Sequence, residues 1–420
     1  EDRLSDEPRD PGAWASYSAF LERYKTALEG EQRRIEDRLG IDEGSGSIDM
    51  SFRVPDGDED AEDLAGAIEA GRELLEWYAA SDLPSELSAF LAMPGLRTPS
   101  LAEQAAPTLL TEFTAEYKAA RTASVAEAFR ARLALTRGDT ASVASATGNI
   151  VGMMRLHEGQ PVIIAMLVRV AINAMTNGQV LEAIRAGEVP PESARELLPV
   201  YNAWIADEPG RTRVHLEGEE LFTLSTLSQI YAGELTGDDL GFSAARVLWH
   251  NHKSMDEAAR RFFADAIVYT EAGPANGTPV AMPWDESSRI SEFRHGPLAI
   301  LLPAIDRASY AAFNARLENA VVTTHLAMLA YHDTTGTLPA SLDDLVEAGL
   351  LDAPPADPFS PSGLLGYRLD DSVPGGFLLW SAGPDLTDNN GEGPAWLESF
   401  EYEDLPDGQD LTYPLERTLR

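Results

Sequence analysis

The sequence predicts a mainly α-helical protein, with a multi-helix N-terminal region followed by a small α+β module built from a long helix and a short antiparallel sheet. Three observations carry this expectation. Apolar residues recur at three- and four-residue spacing over most of the chain, and Gly or Pro breaks cut that pattern into helix-sized pieces. Strand-like alternation of apolar residues is clearest in two short runs between 365 and 381.

Asp10 followed by Pro11 is a cap and first-turn pair. Trp14, Tyr17, Phe20, Leu21, Tyr24 and Leu28 then line one face of a helix expected to fade near Gly40. Residues 41–60 are rich in Gly, Ser and Asp, with Ser47–Val54 as a candidate strand. Asp60–Ala80 reads as a second amphipathic helix through Leu64, Ile68, Leu74, Leu75 and Tyr78. From Ala102 to Leu198 the pattern is helical, with breaks at Arg137-Gly138-Asp139, Gly159-Gln160-Pro161, Gly187 and Pro190-Pro191. Short breaks of this kind suit antiparallel helical hairpins. Pro161–Ile184 is apolar almost all round and is expected to be the most buried helix. No repeat of fixed period is present.

Residues 199–295 are less regular, with Ser225–Gly233 and Ser254–Ala272 as helices and Gly273–Trp284 as a loop. A boundary is expected near His295-Gly296-Pro297. The expected organisation is therefore 1–100, 101–295, an α+β module over 296–400, and an acidic, polar tail over 401–420. In the module, a helix over Pro303–Asp333 carries Ile305, Phe313, Leu317, Val321, Leu326 and Leu329 and ends at Thr335-Gly336. Ser341, with Asp344 three residues on, predicts a capped short helix. Asp357-Pro358-Phe359 is a turn, Leu365–Leu369 and Phe377–Ser381 are strands joined through Asp370–Gly376, and Gly383-Pro384-Asp385 opens an acidic loop.

At 420 residues, 44% apolar and 24% charged, the chain is globular in composition. Its 69 Asp and Glu against 32 Lys and Arg give a net charge of -37. Such a surface repels nucleic acid and anionic lipid, and attracts divalent cations or basic partners. With no cysteine, disulfides, thiolate metal sites and Cys nucleophiles are excluded. The sequence starts at Glu1 without a Met, as expected where a signal peptide or anchor is removed or the chain is trimmed. The most apolar stretch, Pro161–Met175, is short for a bilayer and carries Arg169, and Leu298–Ile305 is shorter still, so no membrane span is expected.

Gly336-Thr337-Leu338-Pro339-Ala340-Ser341-Leu342-Asp343-Asp344-Leu345, then Asp357-Pro358-Phe359, Tyr367 and Phe377-Leu378-Leu379-Trp380-Ser381-Ala382-Gly383-Pro384-Asp385, follow a long helix in that order. Residues 297–393 in this way resemble the globular part of the major pseudopilin of type II secretion. That resemblance implies a long helix packed on a short helix and a small antiparallel sheet, with calcium bound by the acidic loop after the strands. In that family the assembly helix begins the mature chain. Here the corresponding helix is internal and carries Asp306 and Arg307. The whole arrangement resembles uncharacterised exported bacterial proteins in which a helical domain precedes such a module; Leu133–Gly138, Pro161–Ile184 and Leu216–Glu220 carry that second likeness.

The loop Asp385-Leu386-Thr387-Asp388-Asn389-Asn390-Gly391-Glu392 is the strongest site candidate. Calcium takes six to eight oxygen ligands. Asp385, Asp388, Asn390 and Glu392 are the candidate side-chain ligands, with backbone carbonyls completing the shell. The same residue types also favour a solvated turn. His250 and His252 are two apart, a poor spacing for a shared metal on a helix, and His325 and His332 are two turns apart. His157-Glu158 lacks the second His of a zinc-protease helix. No nucleophile elbow, phosphate-binding loop or dinucleotide fingerprint occurs. Trp249, Trp284, Trp380 and Trp396 suit core anchoring or a sugar platform. The expected function is that of a non-enzymatic exported subunit of an extracellular or envelope assembly, with protein partners or self-association. The alternative is a carboxylate-based hydrolase on a polysaccharide-type substrate, its site in the helical domain.

Overall fold

The computed structural model describes residues 10–40, 61–96, 109–156, 162–232, 252–277, 304–395 and 409–415. The fold is mainly α-helical with one small antiparallel sheet, the class predicted from the periodicities. The candidate strand Ser47–Val54 and the boundary at 295–297 lie outside the described residues. Two compact units are present, one made of 1–160 and 171–197, the other of 161–170 and 198–420.

In the first unit, α1 (Pro11–Leu39) begins where Asp10 accepts the Gly12 N–H at 2.8 Å and ends at Gly40, in the left-handed region at φ 69°. Its buried face carries Trp14, Tyr17, Phe20 and Tyr24. Phe20 meets Phe90 of α3 (Leu83–Leu91) at 4.8 Å between centroids, and Tyr24 meets Tyr78 of α2 (Ala61–Ala80) edge-on at 5.8 Å. Each such pair adds about 0.5–1.5 kcal/mol beyond burial. No helix was expected over the α3 stretch, since nine residues with a Pro near the start are too few to display a period.

A hairpin of α4 (Leu109–Arg137) and α5 (Thr140–Leu156) completes the packing together with residues 171–185 of α6 (Ile163–Arg185). The breaks at Arg137-Gly138-Asp139, Gly187 and Pro190-Pro191 fall where the sequence placed them, whereas Gly159-Gln160-Pro161 lies outside the described residues. Asp139 caps α5 by accepting the Ser142 N–H at 3.1 Å. Small buried residues, Ala123, Ala126, Ala131 and Ala146, let the helices approach closely.

The second unit contains the remainder of α7 (Pro191–Ala232), a single helix that runs on through Pro209-Gly210. The sequence predicted less regular chain from residue 199, with a helix only at Ser225–Gly233 before residue 254. A proline inside a helix costs about 3 kcal/mol, and burial of Tyr201, Leu216, Leu227 and Ile230 along this helix offsets that cost. Opposed to it is α8 (His252–Ala272), bridged by Arg260–Glu220 at 3.0 Å and Arg213–Glu271 at 3.2 Å. Glu219 is a partly buried cap for α6, accepting the Ile163 N–H at 2.9 Å.

By length and composition α6 alone among the described helices could cross a membrane. The apolar segment expected to be helical over Pro161–Ile184 is this helix, Ile163–Arg185. Most of its apolar window is buried inside the protein, which is compatible with no membrane span.

The α+β part follows. Helix α9 (Ala304–Thr335) is buried on most sides from Ala308 to Ala330. Tyr269 of α8 and Phe313 of α9 meet at 5.4 Å, and Phe359 packs on Phe313 at 6.3 Å. The short helix α10 (Asp343–Glu347) has no capping bond from Ser341; instead the Asp344 carboxylate reaches back to the N–H groups of Ala340 and Ser341 at 2.6 and 3.1 Å. Strand β1 (Gly366–Leu369) pairs antiparallel with β2 (Phe377–Ser381), Gly366 opposite Trp380 and Leu369 opposite Phe377. A third strand, β3 (Leu411–Thr412), pairs with the end of β2. The stretch read as a polar tail thus supplies a strand and buries Leu411, Tyr413 and Leu415. Two residues carry no legible alternation.

Candidate functional site

The acidic loop leaves β2 and folds back against it through a series of side chain-to-backbone bonds. Asp385 accepts the Thr387 N–H at 2.9 Å. Asp388 accepts the Asn390 N–H at 2.9 Å and the indole N–H of Trp380 at 3.0 Å through the same oxygen. Leu386 (φ 61°) and Asn390 (φ 59°) are left-handed, a conformation that costs a residue with a side chain and persists only where its surroundings hold it. Gly391 (φ 79°) must be glycine: a Cβ there would lie 2.6 Å from the Leu378 side chain.

The hold comes from a distant residue. Asp410, fully buried beside β3, accepts the Asn389 N–H on both carboxylate oxygens at 3.0 Å and the Gly391 N–H at 2.6 Å. Its own N–H donates to Glu392 O at 2.9 Å. On the other side Arg368 stacks over Trp380, 5.6 Å from the ring centroid, and donates to Asn390 O. Beneath the loop, Asp357 is 1% exposed and accepts the N–H groups of Phe359 at 2.9 Å and Ala382 at 3.1 Å.

These carboxylates feel one another. Burial first, and the charge of Asp388 in addition, raise the pKa of Asp357 to about 6. Asp410 is likewise raised, first by burial, with Asp388 and Asp385 adding to it, against the opposing pull of its bonds from Asn389 and Gly391. One small volume therefore concentrates negative charge that backbone dipoles only partly balance.

Of the predicted ligand set, the structure places Asp385, Asp388, Asn390 and Glu392 along this loop, with Asp388, Asn390 and Glu392 exposed. Among the described residues no three carboxylate or imidazole groups converge as a ready metal cluster. The donors suit a hard cation in kind, being carboxylate and carbonyl oxygens in a rigidly turned loop. Asp388 retains an oxygen, Oδ2, without a hydrogen bond among the described residues. Sequence reasoning missed Asp357 and Asp410 as parts of the site. The first was legible only as a turn residue, and the second lies far along the chain with no local signal.

The other candidates resolve as structure. His325 is buried, its Nδ1 lying 2.9 Å from Val321 O and its Nε2 3.1 Å from Tyr413 O, so it ties α9 to the chain end. Trp380 sits in β2 and donates its indole N–H to Asp388 of the loop. His157, Glu158, His250, Trp249, Trp284 and Trp396 lie outside the described residues.

A hydrolase in the helical domain calls for an accessible carboxylate with a raised pKa. Glu127 of α4 is raised by burial, but it is fully enclosed. Arg130 donates to its Oε2 at 2.6 and 3.0 Å, the Tyr78 hydroxyl donates to Oε1, and Asn149 adds a further bond. Oxygens engaged in this way serve the fold.

Comparison with protein-family models, with curated proteins and with solved structures finds no match to this chain.

Proposed function

We propose that the protein is a non-enzymatic exported interaction subunit of an extracellular or envelope assembly, and that its working surface is the acidic loop 385–392, organised by calcium. One observation carries the reading. Asp410 and Trp380 fix a strained, exposed, oxygen-rich loop from both sides, and a loop held that rigidly is preorganised for an ion or a basic partner. In this reading Asp385, Asp388, Asn390 and Glu392 hold the ion, and Asp410 shapes the loop around it. The ion supplies positive charge to a site short of it. The pseudopilin-like order of elements supports the same assignment. Partner contact through α9 is not favoured, because that helix is buried and none of the exposed large apolar side chains among the described residues lies on it.

Light scattering of the native protein in calcium and then in chelator tests this. An assembly, or a complex with a basic partner, that loosens on chelation is the expected result. Emission from Trp380, whose indole N–H is bonded to Asp388, should change in step. A monomer indifferent to calcium, with unchanged emission, overturns the proposal.

A further inference from the structure

A second site lies in the first unit. A cavity of about 210 Å³ opens beside the α4–α5 turn, its polar wall formed by Glu76, Arg130, Arg137, Asp139 and Ser142 over a floor that includes Leu133. Arg130 is 6% exposed. Its Nε and Nη2 are taken by Glu127 and Ser145, whereas Nη1 makes no hydrogen bond among the described residues. A buried guanidinium with an unsatisfied edge lining a cavity is a donor in want of an acceptor. At the rim, Arg137 bonds Glu76 at 2.8 Å, and both remain about half exposed. Asp139 stands at the first turn of α5, bonded to Ser142.

We propose that this cavity binds a small zwitterion, an α-amino acid with a short side chain. Its carboxylate would be met by Arg130 and Arg137, and its ammonium group by Glu76 and Asp139. Three features select that class. Drug-sized ligands occupy roughly 300–1,000 Å³, so 210 Å³ admits only a small molecule. Two guanidiniums share the wall with two carboxylates, and Glu127 already balances Arg130 from behind, so the cavity does not favour a net anion. The chain's net charge of -37 acts against free anions as well. A molecule carrying both charges satisfies the two halves of the wall at once.

Titration calorimetry on the full chain tests the proposal, with glycine and alanine as probes and acetate, methylammonium and inorganic phosphate as comparators. Saturable binding of an amino acid is expected, with acetate and methylammonium each about tenfold weaker or more. Arg137→Gln and Asp139→Asn, one at a guanidinium and one at a carboxylate of the wall and both outside the buried Glu127–Arg130 pair, should each weaken binding about fivefold or more at unchanged helicity. Absence of saturable heat with both amino acids overturns the proposal. So does phosphate binding as tightly, or retention of wild-type affinity in both variants.

Discussion

Each unit buries a carboxylate, and the two are satisfied in opposite ways. Glu127 in the first unit receives a guanidinium, a phenol and an amide, so its charge is cancelled within the protein. Asp357 and Asp410 in the second receive mainly backbone N–H groups and face two further acids, Asp385 and Asp388. A closed, neutral network rigidifies a core. An open one, with its charge less fully cancelled, is the feature on which the proposed cation site rests. The comparison sets a carboxylate that serves folding against carboxylates that shape the proposed site, although burial raises the pKa in both places.

The largest effect that would break this comparison is expected in the first unit. Arg130→Ala leaves Glu127 buried without its cation, a loss of about 3–5 kcal/mol for a broken buried pair. Hydrogen exchange should show faster opening of α4 and α5 amides, with β2 amides unchanged. Equal loosening of β2 would show that the two networks are not independent.

Next in size is the pH response of the second unit. Asp357 has a folded pKa of about 6, above the ordinary aspartate value of 3.8. The folded state therefore holds the proton more tightly than the unfolded one. The associated stability is fully present below about pH 3.8 and is lost as pH rises through about 6. The shift amounts to on the order of 3 kcal/mol, at 1.36 kcal/mol per unit. Urea denaturation in chelator between pH 4 and 7 should show this trend, read at β2. Calcium should flatten it by supplying the missing positive charge. A flat profile without calcium would mean that Asp357 does not hold its proton more tightly in the folded state.

Much of the helical frame was legible because its signals are local. Asp10-Pro11 and Gly40 bracket α1, and Gly138-Asp139 separates α4 from α5, each through a cap written in adjacent residues. The strands β1 and β2 were legible for the same reason. What could not be read depends on distance along the chain. Asp410 meets Asn389 only once β3 has paired with β2. Continuation of α7 through Pro209 is a tertiary effect overriding a local breaker. The loop's own acids were visible as a cluster, whereas the two residues that clamp it from below and behind were not.

Asp410→Asn addresses that clamp directly. The amide keeps one acceptor for the Asn389 and Gly391 N–H groups and turns an NH2 toward the other, a loss of about 1–3 kcal/mol. Loop amides at 389–391 should exchange faster in the variant. If calcium depends on the loop's shape, its affinity should fall as well. Unchanged exchange would mean that Gly391 and the left-handed residues hold the loop without Asp410.

The smallest expected effect is the most selective. Trp380→Phe removes one indole N–H from Asp388 and preserves an aromatic ring against Gly391, so stability should fall by only about 0.5–1.5 kcal/mol. Arg368 keeps a ring to stack on. Asp388 meanwhile loses its side-chain tether and retains only the Asn390 N–H, which frees the carboxylate to turn outward. The variant should therefore lose little stability yet bind calcium with changed affinity, measured by calorimetry because the reporting indole is gone. The Glu127 network offers no counterpart: any substitution that loosens Glu127 also loosens the core around it. A variant that alters ion binding while sparing the fold is possible only where the carboxylates form a site, so an unchanged calcium affinity in Trp380→Phe would count against the distinction between the two units.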